Sequence, residues 1–237
     1  MGLFRQSAPP PPPPAPPRPR LRRLLRRRLG RLALRVLVAV VLVVALFRLI
    51  NPPTTWTIMT ESTHPRTWVR LDGVAPVMAR SVVAAEDANF CLHWGFDMVE
   101  IRKVVASGGS RGASTISQQV VKNVFLWQGR SWWRKLPEAA LTPVIEALWS
   151  KRRILEIYLN VAEFGPGVFG IHAAAAYHYK TTPDRLSADQ AARLAAILPA
   201  PKSRDPKAVK TRRARAVADG AATIARDGRD ACFRPRR

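Results

Sequence analysis

Acid is what this chain has least of. Its 237 residues include 16 Asp and Glu against 39 Lys and Arg, a formal net charge of +23. Residues 1–50 hold 11 Arg and no acid, and the remainder has 28 basic and 16 acidic residues. A balance this basic calls for an anionic partner: nucleic acid, anionic lipid or a phosphorylated substrate. Cysteine is also scarce. Cys91 and Cys232 are too few for a disulfide framework. An oxidising compartment would allow one bridge, which the spacing leaves open. No Cys-x-x-Cys and no His-Glu-x-x-His occurs, which argues against a structural zinc or a zincin site. Strand–helix alternation and internal repeats are lacking too.

What is present begins with proline and arginine. Pro9–Pro17 is nearly pure proline and reads as an extended, solvated spacer. An arginine cluster follows: Arg18, Arg20, Arg22, Arg23, Arg26, Arg27, Arg28 and Arg31. Leu32 to Ile50 is then apolar except for Arg35 and Arg48, which flank a 12-residue uninterrupted core, Val36–Phe47. Long arginine side chains at those ends can snorkel. The 19 residues suffice to cross a hydrocarbon layer of ~30 Å at about 1.5 Å per residue. A cleaved signal peptide would need a small-x-small site, and Asn51-Pro52-Pro53 follows instead. The reading is an uncleaved anchor, so the anionic surface is a membrane and no nucleic acid is expected. The positive-inside rule puts the arginines in the cytoplasm and residues 51–237 outside.

The outer part reads as mostly α. Residues 51–75, with short β-like runs such as Trp56-Thr57-Ile58-Met59, read as a linker with one hairpin. From Pro76 the pattern turns helical, with Met78, Val82 and Ala85 recurring on one side and Glu86 at the helix end. Asp97 is the N-cap of a second helix. A small-residue loop, Ser107–Ala113, leads into a third helix from about Ser114. Further helices fit Arg153–Leu159, Val168–His178 and Ala188–Leu198, the last opened by a Ser187-x-x-Gln190 capping box. A basic helix over Lys207–Arg226 follows, and Pro143 should kink the helix after Glu138. The organisation expected is a cytoplasmic tail 1–31, a transmembrane helix 32–50, a linker 51–75 and one domain 76–237.

Two features carry chemistry. Ser114, Gln118 and Lys122 are spaced four apart and line one polar helix face, which Thr115 and Gln119 widen. A solvated face is the bland account. A helix start after glycines, with Lys122, Arg130, Arg134 and Lys135 close behind, suits a phosphate-bearing ligand better. The other feature is carboxylate: Glu86-Asp87 in an apolar stretch, and Glu138 among cations. Two such glutamates suggest glycosyl chemistry, although a surface ion pair would also account for Glu138.

The order of motifs adds a resemblance. Glu86-Asp87-x-x-Phe90-x-x-His93-x-Gly95-x-Asp97, then Gly112-Ala113-Ser114-Thr115-Ile116-Ser117-Gln118-Gln119, then Arg134-Lys135-x-x-Glu138-Ala139, then Arg153-Ile154-Leu155-Glu156-Ile157-Tyr158-Leu159-Asn160 with Phe164-Gly165 resemble four successive signatures of the bacterial peptidoglycan glycosyltransferases. They span residues 76–200. Ala113, Ser117 and Cys91 depart from the usual pattern without removing a reactive group. The chain looks like the monofunctional branch, which has an anchor and a transferase domain. No Ser-x-x-Lys occurs, so no transpeptidase activity is expected.

The resemblance implies a lysozyme-like, mostly α fold and the polymerisation of lipid II. The growing glycan strand is the donor, and undecaprenyl diphosphate leaves in a single inverting displacement. It implies Glu86 as general base. Lys122 and Arg130, with Arg134 and Lys135, would bind the diphosphate, and Ser114, Thr115, Gln118 and Gln119 would shape the donor side. Glu138 would orient those cations or hold a divalent ion (Mg or Mn). Asp87, Phe90, His93 and Asn160 are expected to support the structure. Trp127, Trp132 and Trp133 are candidates for the membrane interface. Expected partners are lipid II, the glycan strand, the inner membrane and other wall-synthesis and division proteins. A lytic hydrolase of the same fold would need one acidic glutamate and no diphosphate cluster, and a purely binding protein would not need the four signatures.

Overall fold

The structure, a computed structural model, describes residues 19–108, 112–129 and 132–234, with the backbone alone for 19–23 and 132. It divides into one compact unit ending at Leu42 and another, Val43–Arg237. Helix α1 runs Pro19–Leu49, and its 26-residue stretch Leu24–Leu49 is long and apolar enough to cross a membrane. The helix starts well before the expected anchor because leucine and arginine both favour helix, and one glycine does not stop it. The proline run Pro9–Pro17 lies outside the described residues.

The second unit is helical, with no strand among the described residues and a single isolated bridge between Glu163 and Phe169. Its helices are α2 (Trp56–Glu61), α3 (Pro76–Glu86), α4 (Met98–Ala106), α5 (Ile116–Phe125), α6 (Trp132–Leu148), α7 (Lys151–Val161), α8 (Ile171–Tyr179), α9 (Ala188–Ile197) and α10 (Thr211–Arg226). Two packing groups form it: α3, α9 and α10 against one another, and α5 against both α6 and α7.

Helix α7 is the axis of the unit. Ile154, Leu155, Ile157, Tyr158, Leu159, Asn160 and Val161 are all buried, while Lys151, Arg152, Arg153 and Glu156 form a half-buried polar side. Arg153, at its start, turns outward to the end of α1. Its guanidinium donates to the carbonyls of Phe47 at 2.9 Å and Ile50 at 2.7 Å. Those carbonyls belong to a helix end, where no intrahelical partner exists.

Segment 51–75 differs from the expected linker and hairpin. Thr55 accepts from the Ile58 amide at 3.3 Å and caps α2, and this cap, with burial of Thr57 and Ile58, outweighs the β preference of the short run. The chain after it is held by side chains instead of a strand. Asn160 Oδ1 accepts from the Val69 amide and Asn160 Nδ2 donates to the Val69 carbonyl, both at 2.8 Å. Glu156 accepts from the Leu71 amide at 2.9 Å. The side-chain amide thus does for Val69 what a neighbouring strand would do.

Pro143 does not end α6. The helix runs on to Leu148 with Pro137 and Pro143 inside it. Each proline removes one backbone donor, and Thr142 Oγ1 donates to the Glu138 carbonyl at 2.7 Å in the same stretch. Cys91 and Cys232 form a disulfide across 141 positions, which settles the pairing that spacing left open.

Replacing Asn160 by Ala strands both polar groups of Val69 in a partly buried place. We expect a loss of about 2–3 kcal/mol in stability, measured by denaturant unfolding of the full chain in detergent. Unchanged unfolding would show that the segment is held by its apolar contacts alone.

Candidate active site

Glu86 is the last residue of α3, and Asp87 caps that helix by its backbone amide. The Asp87 carboxylate is buried and both its oxygens are engaged. Oδ1 lies 2.8 Å from His93 Nε2, and Oδ2 accepts from the Ile116 amide at 3.0 Å. Ile116 is the first residue of α5. One side chain therefore ties the end of α3 to the start of α5.

The start of α5 is built with care. Thr115 and Gln118 form a capping box, each side chain bonded to the other's backbone amide. Thr115 Oγ1 also donates to the Gly95 carbonyl at 2.7 Å. Gly95 has φ +88, and a Cβ there would sit 2.7 Å from Thr142 Cγ2, so only glycine fits. Gln118 is consequently buried and spent on the cap. The expected polar face of Ser114, Gln118 and Lys122 does not form as one face: Ser114 precedes the helix and Gln118 points into its cap. Gln119 and Lys122 are the members of that set that reach Glu86.

Gln119 Nε2 donates to Glu86 Oε2 at 2.8 Å, and Gln119 Oε1 accepts from the Tyr158 hydroxyl at 3.2 Å. The tyrosine fixes which end of the amide faces the glutamate. Burial, helped by the Glu86 and Asp87 charges, raises the Tyr158 hydroxyl well above its usual value, so it stays a donor. The second oxygen of Glu86, Oε1, is buried without a hydrogen-bond partner among the described residues. Burial raises the Glu86 carboxyl, against the Gln119 bond and the charges of Arg213 and Lys122, while Asp87 adds to the rise. Lys122 is held below its usual value, first by burial and then by Arg134, with Glu138 and Glu86 acting the other way.

Glu138 is 2% exposed. Its carboxylate receives Arg134 at 2.5 Å and an ion pair from Lys135. Lys135 also reaches Ser114 Oγ at 3.4 Å. Glu138 is thus a buried hub of the basic cluster and not a surface pair. Arg130, expected in the same cluster, lies outside the described residues. A cleft of about 430 Å³ opens beside Gln119, Lys122 and Tyr158 and is bounded by α2, the end of α7 and the chain after α9.

Phe90 is fully buried, and Asn160 braces Val69 as described. Among the exposed apolar side chains are Leu92, Trp94, Trp127, Trp133 and Leu136. Sequence reasoning missed three things. Arg213, on α10, acts on Glu86 electrostatically, and only the crossing of α3 and α10 brings it there. Glu146 is buried and takes both Ser117 and Lys151. Lys151 in turn lies 4.5 Å over the Phe90 ring. A charged residue inside an apolar helix face was the available signal for Glu146.

A divalent ion beside Glu138 does not fit the side chains. Both carboxylate oxygens are taken by cations, and no group of three or more His, Cys, Asp or Glu among the described residues could hold a metal.

Comparison with known proteins identifies the family. A family model described as Transglycosylase matches residues 54–224. Similar proteins include a biosynthetic peptidoglycan transglycosylase of Jannaschia sp., 62% identical over 171 residues, 71% of this chain and 72% of that one. A protein of the same description from Pseudomonas putida is 45% identical over 175 residues, 68% and 74% of the two chains. One from Escherichia coli is 53% identical over 140 residues, 57% and 58%. The matched span holds Glu86, Gln119, Lys122 and Glu138 and takes in well over half of the sequence: the chain belongs to the transglycosylase family and is a glycosyltransferase.

Proposed function

We propose that the chain is a peptidoglycan glycosyltransferase of cell-wall synthesis that polymerises lipid II into β-1,4 glycan strands. The observation that carries this reading is Glu86, with one oxygen fixed by Gln119, the other buried and bare, and a cation cluster close by. A carboxylate so held can take one proton from a hydroxyl presented to Oε1.

The acceptor sugar's 4-hydroxyl gives its proton to Glu86. Its oxygen attacks the donor's anomeric carbon from the face opposite the diphosphate. The bond from that carbon to the phosphate oxygen breaks, and its electron pair leaves with undecaprenyl diphosphate. An α-linked donor becomes a β link, so one inverting step suffices. The leaving group needs its charge met, not a strong acid. Lys122, Arg134 and Lys135, with Arg130, supply that charge, and Glu138 orders Arg134 and Lys135. Ser114 and Gln119 shape the donor side, while Thr115 and Gln118 hold the helix start from which Lys122 projects. Asp87 and His93 set where Glu86 stands.

The membrane explains the anchor, because both reactants are lipid-linked. The arginine-rich end of α1 supports an inner-membrane location with the N-terminus cytoplasmic and residues 51–237 periplasmic. Other wall-synthesis and division proteins are the natural partners of such a polymerase.

Labelled lipid II tests the reading: long glycan should accumulate. Digestion of finished glycan, with no product from lipid II, would overturn it. Glu86→Gln should lower kcat by about 10²–10⁴-fold and leave the fold intact. Because the raised carboxyl is harder to ionise when folded, its charging lowers stability as pH rises through that range. The glutamine variant should therefore be at least as stable as wild type at neutral pH by thermal unfolding. In wild type, kcat should rise with pH along an acid limb lying above the ordinary carboxylate range. A limb at the ordinary value would remove Glu86 as the base. Lys122→Ala should weaken retention of lipid II, and Glu138→Gln should lower kcat while releasing Arg134 and Lys135 from their shared anchor, both read by substrate-binding and rate measurements.

A further inference from the structure

Residues 227–234 follow α10 and lie beyond residue 224, where the family match ends. This short tail contacts the turn that leaves Glu86. Cys232 is bonded to Cys91. The Phe233 ring lies 6.3 Å from the Phe90 ring, and both are buried. Arg229 donates to the Ala88 carbonyl at 3.4 Å. Asp230, 2% exposed, takes Arg80 of α3 at 2.9 Å and Arg234 of the tail at 2.6 Å. From α7, Arg152 donates to the carbonyls of Phe233 at 3.2 Å and Arg234 at 3.0 Å. The tail is thus fastened to α3, to α7 and, by a covalent bond, to the turn 87–93.

Apart from the tail, that turn is held by the buried Phe90 ring, by Asn89, which donates to Asp97 at 2.8 Å, and by Asp87, and it has few backbone bonds of its own. Its backbone bonds are those of two tight turns, Phe90 to Asp87 at 3.0 Å and Leu92 to Asn89 at 2.7 Å. Leu92 and Trp94 are exposed. Yet it carries both ends of the Asp87–His93 contact and the Asp87 bond to the Ile116 amide. If the turn moves, the Asp87 tie between α3 and α5 is lost and Glu86 is held to α5 by the Gln119 bond alone.

We propose that residues 227–234 are a positioning clasp for the Glu86–Asp87 turn, closed by the Cys91–Cys232 disulfide, so that full transferase activity requires the oxidised chain. Cys91, Cys232 and Phe233 are positioning residues: they act through Asp87 and do not touch substrate. The groups that face Glu86 itself are Asp87 beside it, Gln119 and Lys122 from α5, Tyr158 from α7 and Arg213 from α10. The clasp holds the first of these in register with the rest. The activity part of the inference rests on the transferase reading above; the structural part does not.

Two measurements on the full chain in detergent test it. Reduction by dithiothreitol delivers two electrons and two protons to the pair, leaving two thiols and the reductant's own cyclic disulfide. The chain has no other cysteine. Amide exchange of Ile116 should then become about tenfold faster. With lipid II, kcat should fall about ten- to hundredfold with KM nearly unchanged, the acid limb of the pH profile should move, and reoxidation should restore both. Cys91→Ser with Cys232→Ser should behave as the reduced chain does. Should that variant not fold, Phe233→Ala, which keeps the disulfide, should show the same changes in smaller measure. Unchanged Ile116 exchange on reduction overturns the clasp, whatever the activity. Faster exchange with unchanged kcat and pH profile also overturns it, leaving only a stabilising crosslink. A fully oxidised chain that makes no polymer counts against the transferase reading, while the exchange result still decides the clasp.

Discussion

The arrangement of the site depends on the two oxygens of Asp87. One meets His93 and the other the first amide of α5. A helix start carries unpaired donors and a partial positive charge, so a carboxylate belongs there. Thr115 already covers the Gln118 amide from within the helix. Asp87 covers the Ile116 amide from outside, and because it is the neighbour of Glu86, the capping interaction also holds Glu86 beside α5. Without it, the end of α3 and the start of α5 would be joined there by the Gln119–Glu86 bond alone.

Around that tie the charges are arranged in excess. Three cations, Lys122, Arg134 and Lys135, gather about a single buried carboxylate, Glu138. Burial already strains Lys122 toward losing its proton. Such a cluster is poorly neutralised from within, and its natural complement is a group with several negative oxygens. A diphosphate is such a group, and in the proposed reaction it is also the leaving group, which needs no acid. In that proposal the same electrostatics serves binding before the bond breaks and stabilisation while it does.

Much of this was legible in the sequence, for definite reasons. The helix boundaries followed apolar period and caps: Asp97 and the Ser187-x-x-Gln190 box stand where they were read. Asp87 and His93 meet each other, as a short spacing allows. What escaped were pairings across long separations. Nothing near Asn160 announces that its amide will pair with Val69, and nothing near Arg213 announces Glu86. Gln118 misled because spacing alone cannot tell a solvent-facing amide from one folded back into a cap. The run at 56–59 misled because β propensity in four residues is weaker than one well-placed threonine.

Gly220 lies within α10, and a Cβ there would come 3.1 Å from the Cβ of Ala84 on α3. Glycine inside a helix costs about 1 kcal/mol relative to alanine. The chain bears that cost opposite Ala84, two residues before Glu86, at the crossing that also delivers Arg213. The approach of α10 to the end of α3 that carries Glu86 is therefore set partly by a methyl group that is not there.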